Sequence, residues 1–95
     1  MARPDHLFVF AYDVEKDGAR AKLAAWLEER ATRVQKSVFE GRMTTAEARG
    51  VAAGARRFLG PDDGFRVYCI TEEGRAESFA IGEPPLAEPA DFWIL

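Results

Sequence analysis

The chain has 95 residues, 47% of them hydrophobic and 31% charged, with a formal net charge of −3 at pH 7. That length holds one domain with a thin core, which gains from pairing with a second copy because small domains leave much of their surface uncovered; the composition is that of an ordinary globular protein and excludes a disordered chain. No apolar run approaches the roughly 20 residues that cross a bilayer, Met1–Asp5 lacks the apolar stretch of a secretory signal, and the lone Cys69 cannot form an internal disulfide, so a reducing cytoplasmic setting without a membrane partner is expected. Charge is unevenly placed: after residue 71 stand six acids and Arg75, whereas residues 1–71 carry twelve bases and ten acids. A mildly basic body ahead of an acidic tail leaves room for a local basic stripe, and phosphate contact depends on local charge.

In chain order, His6 to Tyr12 is apolar, aromatic and β-branched, which predicts a buried central strand ended by Asp13. Asp17 is a candidate N-cap for a helix over 18–31, whose apolar stripe is Leu23, Trp26, Leu27 and Ala31. Thr32 to Met43 is rich in β-formers and predicts a strand pair, or one strand bent at Gly41. Thr44 with Glu47 three residues on has the pattern of a capping box, and Ala48, Val51, Ala52, Ala55, Phe58 and Leu59 form the stripe of a second helix over 45–59, stopped by Gly60-Pro61. After an Asp62-Asp63-Gly64 turn, Phe65–Ile70 predicts a strand, Glu73-Gly74 a tight turn, and Ala76–Ile81 its hairpin partner. Residues 83–95 form a Pro-containing linker and a terminal strand.

The order β-α-β-β-α-β with extra C-terminal strands predicts an α+β fold of the ferredoxin-like kind, with two helices on one face of an antiparallel sheet, over residues 1–82. Such a fold hosts many unrelated activities, so function has to come from particular residues.

There is no Gly-rich phosphate loop, no cysteine pair and no Ser/His/Asp set. His6 reads as an ordinary strand-end histidine, and Cys69 as a small core residue alternating inward with Phe65 and Val67. Asp13 is different. A carboxylate at the end of an apolar strand costs free energy unless it is solvated, capping or coordinating, which leaves two readings: it caps the following turn, or it is a hard-oxygen ligand for Mg²⁺ or Mn²⁺. One aspartate makes a poor metal site, whereas two copies meeting across a dimer axis make a better one, suited to metal-assisted phosphodiester hydrolysis. Arg20, Lys22, Arg33, Lys36 and Arg42 are candidates for phosphate contact as a group, while Arg56 and Arg57 complement a helix dipole. Phe92, Trp93, Ile94 and Leu95 place four large apolar residues behind the linker, as expected of a strand that joins a partner's sheet.

Tyr12-Asp13-Val14, Arg20-Ala-Lys-Leu23, Leu27-Glu28, Thr32-Arg-Val-Gln-Lys-Ser-Val-Phe-Glu-Gly41 and Asp63-Gly-Phe-Arg-Val-Tyr68 together resemble the CRISPR-associated endonucleases of the Cas-two family, from about residue 6 to 70, the stretch 33–41 being the most specific. The resemblance implies a ferredoxin-like homodimer in spacer acquisition, a part of antiviral defence. It implies a Mg²⁺-dependent endonuclease on RNA or double-stranded DNA whose metal ligand and catalytic residue is Asp13 with its twin. It implies an alternative role as a non-catalytic, DNA-binding scaffold bridging integrase dimers. Tyr12, Arg20, Arg33, Ser37 and Phe39 match the family's site or nucleic-acid surface, and Phe92–Leu95 match a C-terminal strand that pairs with the other subunit or the integrase. The chain departs from the family pattern at Lys16, where many members carry a second acid, which here appears at Asp17, and at Ala21, where relatives often place another arginine.

Overall fold

The apolar run after His6 forms β1 (His6–Asp13), hydrogen-bonded to a strand on each side and therefore central, as its composition predicts. The computed structural model of the protein describes residues 5–86. After β1 come α1 (Asp17–Glu28), β2 (Thr32–Gln35), β3 (Val38–Met43), α2 (Thr45–Ala55), a single 3-10 turn over Arg56–Phe58, β4 (Gly64–Ile70) and α3 (Glu72–Glu77). The four-stranded sheet has the order β2-β3-β1-β4 with every pair antiparallel, which is the ferredoxin-like arrangement.

Alternation along β1 sends Phe8, Phe10 and Tyr12 into one layer with Phe39 of β3, Leu23, Ala24 and Leu27 of α1, and Ala48, Val51 and Ala55 of α2. Phe10, Phe39, Leu7, Leu23 and Leu27 are fully enclosed, each worth about 1.5–3 kcal/mol of apolar burial. The capping box at the start of α2 is present: Thr44 Oγ1 accepts from the Glu47 N–H at 3.2 Å, and Glu47 Oε1 accepts from the Thr44 N–H at 2.8 Å. The helices meet where Gly54 faces Trp26, whose ring lies under Arg30 (4.0 Å from guanidinium carbon to ring centroid) and Arg57 (5.3 Å).

Several boundaries differ from those read in the sequence, each for a local reason. Asp17 is the first residue of α1 and not its N-cap; Lys16 holds that position without a side-chain hydrogen bond. The helix ends at Glu28, because the Arg30 and Ala31 N–H groups both turn back to the Leu27 carbonyl. Gly41 is not a bend but lies within β3 opposite Phe8, and the chain reverses at Lys36-Ser37 between two strands. α2 stops at Ala55 and tightens into the 3-10 turn. The segment after β4 is a helix, not a hairpin strand: Thr71 caps it by accepting from the Gly74 N–H at 3.2 Å, and Glu72 and Glu73 sit in its first turn, where the helix dipole favours negative charge. Cys69 lies opposite Phe8 on the helix side of the sheet but on an edge strand, and it is exposed rather than buried. The terminal segment Phe92–Leu95 and the linker beyond residue 86 lie outside the described residues.

Among the described residues, the second face of the sheet carries only the short helix α3. α3 folds back over its lower end, where Arg42 Nη2 bonds Glu72 Oε1 at 2.9 Å and Asp5 Oδ1 at 3.4 Å. Glu40 lies buried on the same face; burial pushes its carboxyl above the usual range and the charge of Arg75 pulls it back. Among the described residues, the upper end presents an open groove bordered by Ala11, Asp13 and Arg66. No helix among the described residues is long and apolar enough to cross a membrane.

The helix contact is testable. A Cβ on Gly54 would stand 2.5 Å from Trp26 Cη2, far inside contact distance, so Gly54→Ala has to displace the ring and its arginines. Overpacking at about 1–3 kcal/mol outweighs the gain of about 1 kcal/mol in helix propensity, and the melting temperature falls by several degrees in calorimetry. A variant that melts at or above the wild-type temperature contradicts this packing account.

Candidate site at the open end of the central strand

Asp13 is the last residue of β1, exposed, and paired in register with Gly64 of β4. Its carboxylate makes no hydrogen bond or ion pair among the described residues, so the capping reading is not realised. The turn that follows is held by two other side chains. Asp63 Oδ1 accepts from the Glu15 N–H at 3.0 Å and Asp63 Oδ2 from the Gly60 N–H at 2.6 Å, tying the loop after β1 to the loop before β4. Arg20 Nη1 donates to the Val14 carbonyl at 2.8 Å and the Glu15 carbonyl at 3.3 Å, and its Nη2 pairs with Asp17. With the turn satisfied by these partners, Asp13 faces a groove of about 220 Å³ lined by Ala11, Tyr12, Asp13, Gly64 and Arg66.

Tyr12 points the other way, as alternation requires. It is buried between Phe39 (ring centroids 6.2 Å apart) and Phe65 (6.5 Å), and its hydroxyl donates to the Lys36 carbonyl at 3.3 Å. Burial pushes that hydroxyl above its usual range, against the opposing charges of Arg33 and Arg20. Arg33 donates to the same carbonyl from Nε at 3.1 Å and Nη2 at 2.7 Å, and its guanidinium sits 5.7 Å from the Phe39 centroid. The Ser37 carbonyl accepts the Tyr12 N–H at 3.1 Å. Tyr12, Arg33, Lys36, Ser37 and Phe39 thus form one cluster at the β2–β3 turn, on the helix side of the sheet, and Arg20 joins Arg33 in lining a cleft of about 320 Å³ between α1 and β2.

The remaining predicted cations are scattered. Lys22 is exposed on α1. Arg42 sits at the opposite end of the sheet, nearly enclosed and paired with Glu72 and Asp5. The cation that does line the Asp13 groove, Arg66, is absent from the residues read as phosphate contacts. Its outward direction is legible, since Phe65 and Val67 point inward, but its place on Asp13's face needs the β1–β4 register, which pairs it with Ala11.

As for a metal, no group of three or more His, Cys, Asp or Glu side chains that could hold an ion occurs among the described residues. What one chain offers is a single unpaired hard-oxygen ligand beside open space. That fits a hard divalent cation whose other ligands are water, substrate phosphate and a second chain, and it does not make a closed cage.

These features define a ferredoxin-like α+β protein with one free carboxylate at the end of its central strand and an aromatic–cation cluster behind it. The model of the family described as CRISPR associated protein Cas2 matches residues 6–77. The chain is 37% identical over 92 residues to a "CRISPR-associated endoribonuclease Cas2 2" of Synechocystis sp., covering 93% of this chain and 97% of that protein, and 34% identical over 90 residues to a "CRISPR-associated endonuclease Cas2 2" of Thermus thermophilus, covering 94% and 96%. Among solved structures it is similar to a chain of a "Partial Cas6-RT-Cas1--Cas2 complex", with a TM-score of 0.72, 28% identity, and 90% and 95% of the two chains covered. The chain belongs to this family.

The Asp63 tie carries a pH signature. The Gly60 N–H and then the Glu15 N–H hold its carboxyl below the ordinary value of 3.8. A depressed folded value contributes stability that is present above the unfolded value and is lost as pH falls below it. Asp63→Asn is therefore less stable than wild type at pH 7, and the gap closes as pH drops below 3.8. Urea unfolding across that range reads it; curves that stay parallel would remove the tie from the account.

Proposed function

We propose that the protein acts in CRISPR spacer acquisition as a homodimeric, Mg²⁺-dependent endonuclease on RNA or double-stranded DNA, with Asp13 as its metal ligand and catalytic residue. The observation that carries this reading is the unbonded Asp13 carboxylate, released from any capping duty by Asp63 and Arg20. The names of the relatives, an endoribonuclease and an endonuclease, support phosphodiester chemistry. Asp13 and the Asp13 of a second copy would hold the ion; when bound, it supplies an activated water and neutralises charge on the phosphate. The chain itself keeps the carboxylate exposed and without an internal partner among the described residues, and braces the strand end on which it stands. Mn²⁺ suits the same oxygen ligand.

Nucleic acid is proposed to reach the molecule through Arg20, Lys22, Arg33, Lys36 and Ser37, although the guanidinium groups of Arg20 and Arg33 already serve internal partners; of the other residues read as contacts in the sequence, Tyr12 and Phe39 are buried in the core and Arg42 is nearly enclosed and paired with Glu72 and Asp5. The integrase is the proposed larger partner, in keeping with the complex that contains the structural relative. Its docking strand would be Phe92, Trp93, Ile94 and Leu95, with Phe79 and Ile81, 81% and 94% exposed, extending the apolar surface.

A second reading, a scaffold without catalysis, is favoured by one specific observation: a lone carboxylate in the groove. Cleavage of single-stranded RNA and of duplex DNA with Mg²⁺ separates the two. Asp13→Asn loses on the order of 100-fold or more in rate if the carboxylate stabilises the transition state through an ion, with melting temperature and sedimentation as a dimer unchanged. Equal cleavage by both proteins excludes Asp13 as the ligand, and spacer acquisition that survives Asp13→Asn assigns the biological role to the scaffold.

A further inference from the structure

A lone carboxylate repels an anionic substrate, so a groove that brings a phosphodiester to Asp13 needs a cation beside it. The arginines picked out by the sequence do not fill that place. Arg33 and Arg20 lie on the helix side of the sheet, bonded to carbonyls. Arg42, on the same face as Asp13, stands at the far end and is neutralised by Glu72 and Asp5.

Arg66 meets the requirement. It pairs with Ala11 in register while Asp13 pairs with Gly64, so the two charged side chains are diagonal neighbours on one face of an antiparallel pair. Both line the same groove. The other two corners of that square are the small residues Gly64 and Ala11, and nothing lies within 4 Å of where a Cβ on Gly64 would be, which leaves room for a ligand. Arg66 is exposed and makes no ion pair among the described residues. Its one described hydrogen bond runs from Nη1 to the Tyr68 hydroxyl at 3.0 Å, so one of five donors is used and the rest of the fork is open to an anion.

We infer that Arg66 is the phosphate-binding residue of the Asp13 groove, taking a non-bridging oxygen of a nucleic-acid backbone, and that Tyr68 is the positioning residue that holds its guanidinium there. The inference rests on the reading of Asp13 as the reacting end of the site. It adds the cation that offsets the Asp13 charge as the substrate enters.

The test uses the full chain and a labelled single-stranded RNA oligonucleotide. Binding is measured in EDTA over a salt series, and cleavage is measured separately in Mg²⁺. Arg66→Gln weakens binding about tenfold and lowers the slope of log affinity against log salt by about one unit, in the wild-type and the Asp13→Asn backgrounds alike. Arg66→Lys restores the slope because the charge returns. Tyr68→Phe keeps the slope and raises KM with kcat unchanged, because the charge remains but its aim is lost. Wild-type affinity and slope in Arg66→Gln overturn the inference even if Asp13→Asn abolishes cleavage. Unimpaired cleavage by Asp13→Asn, together with the Arg66 slope change, overturns the reading of Asp13 and leaves Arg66 as a backbone contact.

Discussion

The Asp63 carboxylate, bonded to the Glu15 and Gly60 N–H groups, is the tie on which the site depends. It joins two loops far apart in sequence, the one leaving β1 and the one entering β4, and so fixes the strand end that both border. Without it the Glu15 and Gly60 N–H groups would need another acceptor. Because Asp63 and the Arg20 guanidinium meet the local hydrogen-bonding demand, Asp13 is left solvated with its charge unspent. The division of labour among acids follows from this: Asp63 and Asp17 are structural partners, Glu72 neutralises Arg42, and Asp13 alone faces the groove.

A second constraint is the alternation of β1. Successive residues of a strand point to opposite faces, so the Tyr12 and Asp13 side chains part company even though the two residues are adjacent in the chain and both border the same groove. Tyr12 fastens the β2–β3 turn through the Lys36 carbonyl and stacks into the core, while Asp13 opens onto the uncovered face. An interaction surface made from both would have to wrap around the upper edge of the sheet. The aromatic–cation cluster then acts first as a brace for the strand end, since Arg33, Tyr12 and the Ser37 carbonyl all fix the hairpin that flanks β1.

Much of the fold was legible because its signals are local. The apolar run of β1 and the capping box at Thr44 and Glu47 each carry their information within a few residues, and the order of elements as far as β4 follows from such signals. What escaped the sequence depends on distance or register. Thr71-Glu-Glu-Gly74 reads equally as a hairpin turn or a helix start, and the choice goes to the helix, with its Thr71 cap and the Glu72–Arg42 pair thirty positions away. Cys69 has the inward direction its spacing suggests, but it lies on an edge strand and no described residue buries it. Arg42 looked like a phosphate contact because its partners, Asp5 and Glu72, lie outside any local window. Asp13 could be recognised from its strand-end position, but the reason it is free, Asp63, could not.

A second acid three positions after the aspartate, as in the family pattern, would give a single chain another hard-oxygen ligand. Here Lys16 stands in that position, and the displaced acid, Asp17, has become the first residue of α1, where it pairs with Arg20 on the helix side of the sheet. It is therefore removed from the groove both by direction and by charge compensation. A hard cation loses little by having one protein carboxylate if phosphate and water complete its shell, yet such a site has weak affinity until the substrate or a second chain arrives. The chemistry of one chain and the symmetry of two are thus linked: the fewer acids a protomer brings to the groove, the more the ion depends on a partner copy and on a phosphate held in place. A scaffold needs only the cations and the shape of the sheet, whereas a nuclease also needs the two Asp13 carboxylates to share a ligand.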